Sequence, residues 1–227
     1  MSETRHLDAI SGRYSEARPL SQAHFGRDRQ VMPGGVKGAY YHAPYPLTMA
    51  RGEGCYLWDV DGHRYVDFAN HHTSQVLGHN HEAVTEAIAT QLQRGIALGA
   101  AMGNEVELAE EMCSRVKSLE RVRFCNSGTE ATLHAIRLAR GFTGRPKIAK
   151  FEGGYHGSHD AVEISVAPAL DKAGPAEAPH AVPQVRGMAP HAIDEMLILP
   201  YDDEASVARL VSAHREELAC IILDPKA

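Results

Sequence analysis

Three stretches of the 227-residue chain combine residue types and spacings that could do chemistry. The first is Asn126-Ser127-Gly128-Thr129-Glu130-Ala131. A strand-like run, Arg121 to Cys125, precedes it, and Leu133, Ile136 and Leu138 follow at helical spacing. A strand-to-helix junction gathers unpaired N–H groups and the positive end of a helix dipole, which suits a phosphate. Gly128 would let a ligand approach the backbone closely, and Ser127 and Thr129 would add hydroxyl donors. The same residues also make an ordinary helix N-cap that needs no ligand.

The second stretch is Gly153-Gly154-Tyr155-His156-Gly157, just after the short strand-like run Lys147 to Phe151. Ligands of parallel α/β sheets gather beyond the carboxyl ends of the strands. An aromatic ring in such a turn could stack on a planar cofactor, although a plain glycine loop with a surface Tyr would read the same. The third feature is histidine density, in His71-His72, His79-Asn80-His81, and His156 with His159. Histidines three apart could share a metal, as in a metal-dependent hydrolase using His156 and His159. No carboxylate completes a ligand set, so no metal is expected.

The elements that must position these residues are legible in outline. Residues 1 to 30 place Leu7, Ile10, Tyr14 and Ala17 at helical spacing. A loop follows at Met32-Pro33-Gly34-Gly35-Val36-Lys37-Gly38, and Pro44 and Pro46 keep the next stretch extended. Asp61-Gly62 lies between two β-prone runs within residues 55 to 68, which predicts a hairpin with a two-residue type I′ turn. Apolar faces predict helices over 81–94 (Val84, Ala87, Ile88, Leu92) and 104–118 (Val106, Leu108, Met112, Val116). Gly141 is expected to close the helix after Gly128. Residues 167 to 192 read as a long loop, Met196 to Leu199 as a strand, Glu204 to Leu218 as a helix and Ala219 to Leu223 as a strand. Alternating strands and helices after residue 120 predict an α/β domain with a parallel sheet. The division is expected as an N-terminal segment, 1–75, and a partial large domain, 76–227.

Composition narrows the class. Hydrophobic residues make up 44% and charged residues 23%, as in an ordinary globular protein. No apolar run approaches the roughly 20 residues needed to cross a bilayer. A net charge of −6 offers no global attraction for nucleic acid or an anionic membrane. The opening residues lack the apolar stretch of a signal peptide, and Cys55, Cys113, Cys125 and Cys220 form no CxxC pair. Free thiols in the cytoplasm are the expectation.

Taken together the motifs resemble one family, the class III (ω-type) aminotransferases. Asn126-Ser-Gly-Thr-Glu-Ala131, Ile136-Arg-Leu-Ala-Arg-Gly141 and Phe151-Glu-Gly-Gly-Tyr-His-Gly157 carry the resemblance. Trp58-Asp-Val-Asp-Gly62, Leu77-Gly-His-Asn-His81 and Met32-Pro-Gly-Gly35 add to it, in collinear order over about residues 25 to 225. The nearest subgroups are glutamate-1-semialdehyde 2,1-aminomutases and β-amino-acid aminotransferases. The resemblance implies an α/β, fold-type I transferase (aspartate aminotransferase-like) that uses pyridoxal 5′-phosphate. Here it would be an incomplete large domain with a small N-terminal α+β segment. Ser127, Gly128 and Thr129 would hold the cofactor phosphate, and Tyr155 would stack on its ring with His156 beside it. His72 and Lys37 fall where the subgroups contact substrate, in place of a Trp and near an Arg respectively. The resemblance also implies a homodimer with small-molecule amino and keto substrates, and a loop at 167–192 that covers the site.

The chain departs from the family in one respect central to the chemistry. The lysine that bonds the cofactor and the carboxylate against its pyridine nitrogen both fall beyond the point matching Leu223. None of Lys37, Lys117, Lys147, Lys150, Lys172 and Lys226 stands in that lysine's position. The 227 residues alone are therefore expected to be inactive, and to leave strand edges unpaired.

Overall fold

A computed structural model of the chain describes residues 2–36 and 42–225. It divides into two compact units, residues 1–102 and 103–227. The division falls after Met102 rather than near residue 75. The segment leading into the next helix is fastened to the hairpin. Gly54 and His79 exchange backbone hydrogen bonds of 2.9 and 2.8 Å, and His79 Nε2 lies 2.7 Å from Asp67 Oδ2.

The first unit opens with two helices, α1 (Ser2–Ala17) and α2 (Pro19–Val31), where one weak pattern was legible. Pro19 separates them. The residue before a proline is pushed from helical geometry, and Arg18 has φ −135° and ψ 53°. Arg18 gives α2 no side-chain cap. The cap comes instead from 40 residues away: Asp61 accepts from Leu20 N–H at 2.7 Å and Ser21 N–H at 2.9 Å. A three-stranded antiparallel meander follows, β1 (Met49–Glu53), β2 (Tyr56–Asp59) and β3 (Arg64–Val66). The β2–β3 turn is not type I′, since Gly62 has φ +92° but Asp61 is not at positive φ. Gly62 N–H donates to Asp59 O at 3.1 Å, and Asp59 N–H to His63 O at 3.0 Å. The loop is thus three residues, Val60 to Gly62, a turn closed by a left-handed glycine. Asp59 is buried beneath it and accepts from Tyr65 Oη at 2.6 Å and His63 N–H at 2.7 Å. The unit continues with the short turn α3 (Asn70–Thr73) and α4 (Glu82–Arg94).

The second unit contains α5 (Gly103–Arg115), α6 (Gly128–Thr143), β4 (Lys147–Phe151), α7 (Pro190–Asp194), β5 (Met196–Leu199), α8 (Glu204–Ala213) and β6 (Leu218–Ile222). Its sheet is parallel, in the order β5-β4-β6. Ile148, Met196 and Ile198 face Ile136 of α6 together with Val162 and Ile164. Ala149, Leu199 and Leu218 face Val207, Leu210 and Val211 of α8. Burial on both faces is why these strands read as continuous apolar runs.

Three boundaries differ from the sequence reading. Residues 121–125 pair with no strand among the described residues. α6 runs past Gly141 and is capped by Gly144, whose φ of +69° suits glycine and whose N–H donates to Arg140 O at 2.8 Å. α8 stops at Ala213, well before Leu218, because the backbone beyond it is committed to the sheet: Lys147 N–H donates to Glu217 O at 3.0 Å. Residues 167–189 are irregular, as expected, and end in α7. No helix among the described residues is long and apolar enough to cross a membrane.

Candidate functional site

The first turn of α6 and the 153–158 turn are built onto each other. Ser127 is the N-cap, extended at φ −154°, and its hydroxyl accepts from Glu130 N–H at 3.2 Å. Glu130 reaches back to accept from Asn126 N–H at 2.7 Å, a variant of the capping box. Gly128 and Thr129 are the first two helical residues, and their N–H groups find no protein acceptor among the described residues.

The opposing turn is fixed by hydroxyls. Thr129 Oγ1 accepts from Ser158 N–H at 3.2 Å, and Thr132 Oγ1 donates to His156 O at 2.7 Å. Glycine is required at 157: its φ is +108°, and a Cβ there would lie 2.8 Å from Thr129 Cα. Between the two turns lies a cleft of about 560 Å³, walled by Gly128, Thr129, Thr132, Tyr155, His156 and the segment after β6 that includes Asp224. Its size is ordinary for a small-molecule site.

The cleft is lined by donors from the start of α6 and by the buried imidazole of His156. The hydroxyls of Ser127 and Thr129 each accept one protein hydrogen bond, which leaves their protons free to donate. Two open N–H groups and the positive end of the helix dipole add to these hydroxyls a set of donors whose chemistry suits an anion. Tyr155 is 57% exposed, and its hydroxyl lies 3.1 Å from Ser158 Oγ, so the ring has an open face. His156 is 8% exposed, and its buried Nε2 has no hydrogen-bond partner. Burial, and then the charge of Lys150, push the His156 pKa below its ordinary value, while Asp224 opposes them. Glu152 Oε1 is likewise buried without a partner.

Of the residues singled out from sequence, Ser127, Gly128, Thr129, Tyr155 and His156 come together in this one unit. His72 lies in the other unit, in α3, where Asn70, His71, His72 and Thr73 all have positive φ, from 46° to 65°. Four consecutive non-glycine residues in that region make a strained turn. The Lys37 reading falls outside the described residues. His159 Nε2 lies 3.2 Å from Thr132 Oγ1. Among the described residues no three His, Cys, Asp or Glu side chains converge to hold a metal.

Sequence reasoning missed Thr132 and Ser158, and the burial of Lys150. Thr132 stands one helical turn beyond Thr129, a spacing that could have flagged it. Lys150 is a charge inside an apolar strand run, Ile148-Ala149-Lys150-Phe151, and is fully buried.

The chain matches the model of the aminotransferase class-III family over residues 38–226. It is 41% identical over 206 residues to the glutamate-1-semialdehyde 2,1-aminomutase of Methanocaldococcus jannaschii, covering 90% of this chain and 47% of that protein. Among solved structures it is similar to an omega-transaminase from Sphaerobacter thermophilus, with TM-score 0.87 and 42% identity over 91% of this chain and 47% of that one. It is also similar to a beta-phenylalanine aminotransferase from Variovorax paradoxus, with TM-score 0.78 and 35% identity over 96% of this chain and 46% of that one. The chain thus spans about half the length of the relatives it matches. The family match and the matched fold agree with the resemblance carried by the motifs, and the chain belongs to the class III aminotransferase family.

Proposed function

We propose that this chain supplies the phosphate- and ring-holding part of a pyridoxal-phosphate-dependent aminotransferase. That enzyme would move an amino group between an amino acid or amine and a keto or aldehyde acceptor. The observation that carries the reading is the start of α6: the open N–H groups of Gly128 and Thr129 and the Thr129 hydroxyl on the wall of a cleft that an exposed Tyr155 also lines, with the Ser127 hydroxyl at the N-cap just before them. These donors fit a phosphate joined to a planar heterocycle. Ser127, Gly128 and Thr129 would hold the phosphate, Tyr155 would stack on the ring, and His156 would lie beside it. Pyridoxal phosphate, when bound, supplies an electron sink for the bonds at the amino carbon. This chain's share is binding, orientation and exclusion of water. None of its six lysines occupies the position of the family's cofactor-bonding lysine.

A second reading, intramolecular amino transfer by an aminomutase, is favoured by the name of the Methanocaldococcus jannaschii relative. The two are separated by substrate. An aminomutase converts glutamate-1-semialdehyde with no external amino donor, whereas an aminotransferase requires donor and acceptor together. We further propose a homodimer in the cytoplasm. The exposed apolar faces of α4 and α5 support the first, and four free cysteines support the second.

The test is a pyridoxal phosphate titration of the chain followed by absorbance. Saturable binding is expected, weakened about 10-fold or more in the Ser127→Ala, Thr129→Val double variant, which removes two charge-assisted hydrogen bonds. Borohydride treatment is expected to leave the mass of the chain unchanged. Equal affinity in the double variant would sink the assignment of these hydroxyls.

A further inference from the structure

The hydroxyl of Thr132 has more neighbours than it can serve. Four groups stand within reach of its Oγ1: His156 O at 2.7 Å, Gly128 O and Thr129 O at 3.1 Å each, and His159 Nε2 at 3.2 Å. A hydroxyl has one proton to give and two lone pairs with which to accept. A threonine inside a helix commonly gives its proton to a carbonyl of the preceding turn, here Gly128 or Thr129. The shortest distance is instead to His156 O, the one carbonyl of the three that lies outside α6. That bond is one of two that hold the 153–158 turn on α6, the other running from Ser158 N–H to Thr129 Oγ1 at 3.2 Å.

The tautomer of His159 governs where the Thr132 proton goes. An imidazole bare at Nε2 would accept from Thr132 and take the proton away from His156 O. An imidazole protonated at Nε2 donates to Oγ1 and leaves the proton for His156 O. Separations of 2.7 Å to His156 O and 3.2 Å to His159 Nε2 fit the second arrangement. Among the described residues no hydrogen bond holds a proton at His159 Nδ1. The backbone of His159 is fixed as well: its carbonyl accepts from Val162 N–H at 3.0 Å and Glu163 N–H at 3.1 Å, and Val162 packs in the core with Ile136 of α6. Burial holds the His159 pKa below its ordinary value, with Asp160 opposing and Arg140 adding, so the ring is neutral above pH 7 and its tautomer is well defined. His159 is absent from the cleft wall and lines a separate hollow with Leu133, Arg140 and Glu195.

We propose that His159 is a positioning residue for the cleft: protonated at Nε2, it donates to Thr132 Oγ1, directs the Thr132 proton to His156 O, and so sets the spacing between the start of α6 and the turn that carries Tyr155. Donors for a phosphate and a wall for a ring then stand at one fixed separation. This rests on the reading of the cleft as the cofactor site and deepens it, with a residue that touches no ligand.

The first arm of the test reads the His159 tautomer in the native chain by nitrogen-15 NMR at about pH 7.5. The proton is expected on Nε2. A neutral ring protonated at Nδ1 overturns the proposal whether or not any ligand binds. The second arm titrates pyridoxal phosphate and inorganic phosphate separately into the native chain, His159→Phe and His159→Gln, followed at the Gly128 and Thr129 amides. Phenylalanine removes the donor, and the glutamine amide returns an N–H near the place of Nε2. In His159→Phe the affinity for pyridoxal phosphate should fall about 5-fold while that for inorganic phosphate changes by less than about 2-fold, and His159→Gln should recover most of the loss. No loss for pyridoxal phosphate, or an equal loss for both ligands, overturns the proposal. If His159→Phe does not fold, the native tautomer decides. If neither ligand moves those amides in the native chain, the cofactor reading falls, and the tautomer still decides whether His159 directs the Thr132 proton.

Discussion

The β4 sheet and the helices α4 and α5 carry equally clear apolar patterns, but only the sheet is covered. Ile148, Ile198 and Leu199 are buried by α6 on one face and α8 on the other. Val84, Ile88 and Leu92 of α4, and Val106, Leu108 and Met112 of α5, remain exposed, Ile88 by 57%. Periodicity states which face of an element avoids water. It does not state whether the covering surface belongs to the same 227 residues. The cleft sits on the covered side of this contrast, where α6, β4 and the 153–158 turn are mutually fixed.

The largest test of the contrast is a pair of truncations. Ile198→Ala, in the covered sheet, is expected to lower stability by about 3 kcal/mol, and Ile88→Ala, on the open face of α4, by less than about 1 kcal/mol, both read from urea unfolding. Equal losses would show that α4 is covered in solution. Next, Gly157→Ala forces a Cβ against Thr129 and strains a left-handed residue, at a cost of about 2 kcal/mol. It should also weaken pyridoxal phosphate binding, whereas Gly141→Ala, with open space around it and an interior helical position, should do neither.

Acid–base behaviour sharpens the same contrast. The folded pKa of Lys150 lies below its unfolded value, so the unfolded chain binds more protons between about pH 8 and 10.5. Stability should therefore rise through that window, by up to about 1.4 kcal/mol per pH unit, and Lys150→Met should flatten the rise. A slope that survives the substitution would place its origin elsewhere. The smallest effect is Ser127→Ala, which removes the N-cap of α6 for about 1 kcal/mol. Loss of helix content confined to the first turn, seen by amide exchange, is the expected signature.

Much of the site was legible because its signals are local. Capping chemistry marks Ser127 and Glu130, and paired glycines mark the turn after β4. The sheet was legible because strands buried on both faces are short apolar runs. What escaped depends on distant partners. Arg121 to Cys125 has strand composition but, among the described residues, no strand to pair with, so propensity alone could not make it a strand. The end of α8 is set by the hydrogen bond from Lys147 to Glu217, which no helix-stop residue announces. Asp61-Gly62 satisfied a hairpin rule, but Asp61 is held at ordinary φ while its carboxylate serves α2. The role of Thr132 depends on His156, 24 residues away.

That long-range cap also gives the first unit an internal clock. The amides of Leu20 and Ser21 find their acceptor only after the Val60–Gly62 loop has closed, because Asp61 stands on that loop. Solvent exchange at two amides of one helix would then report the closure of a hairpin 40 residues later in the chain. A pulse-labelling experiment that found those two protons protected before the meander formed would mean that α2 finds another cap on the way.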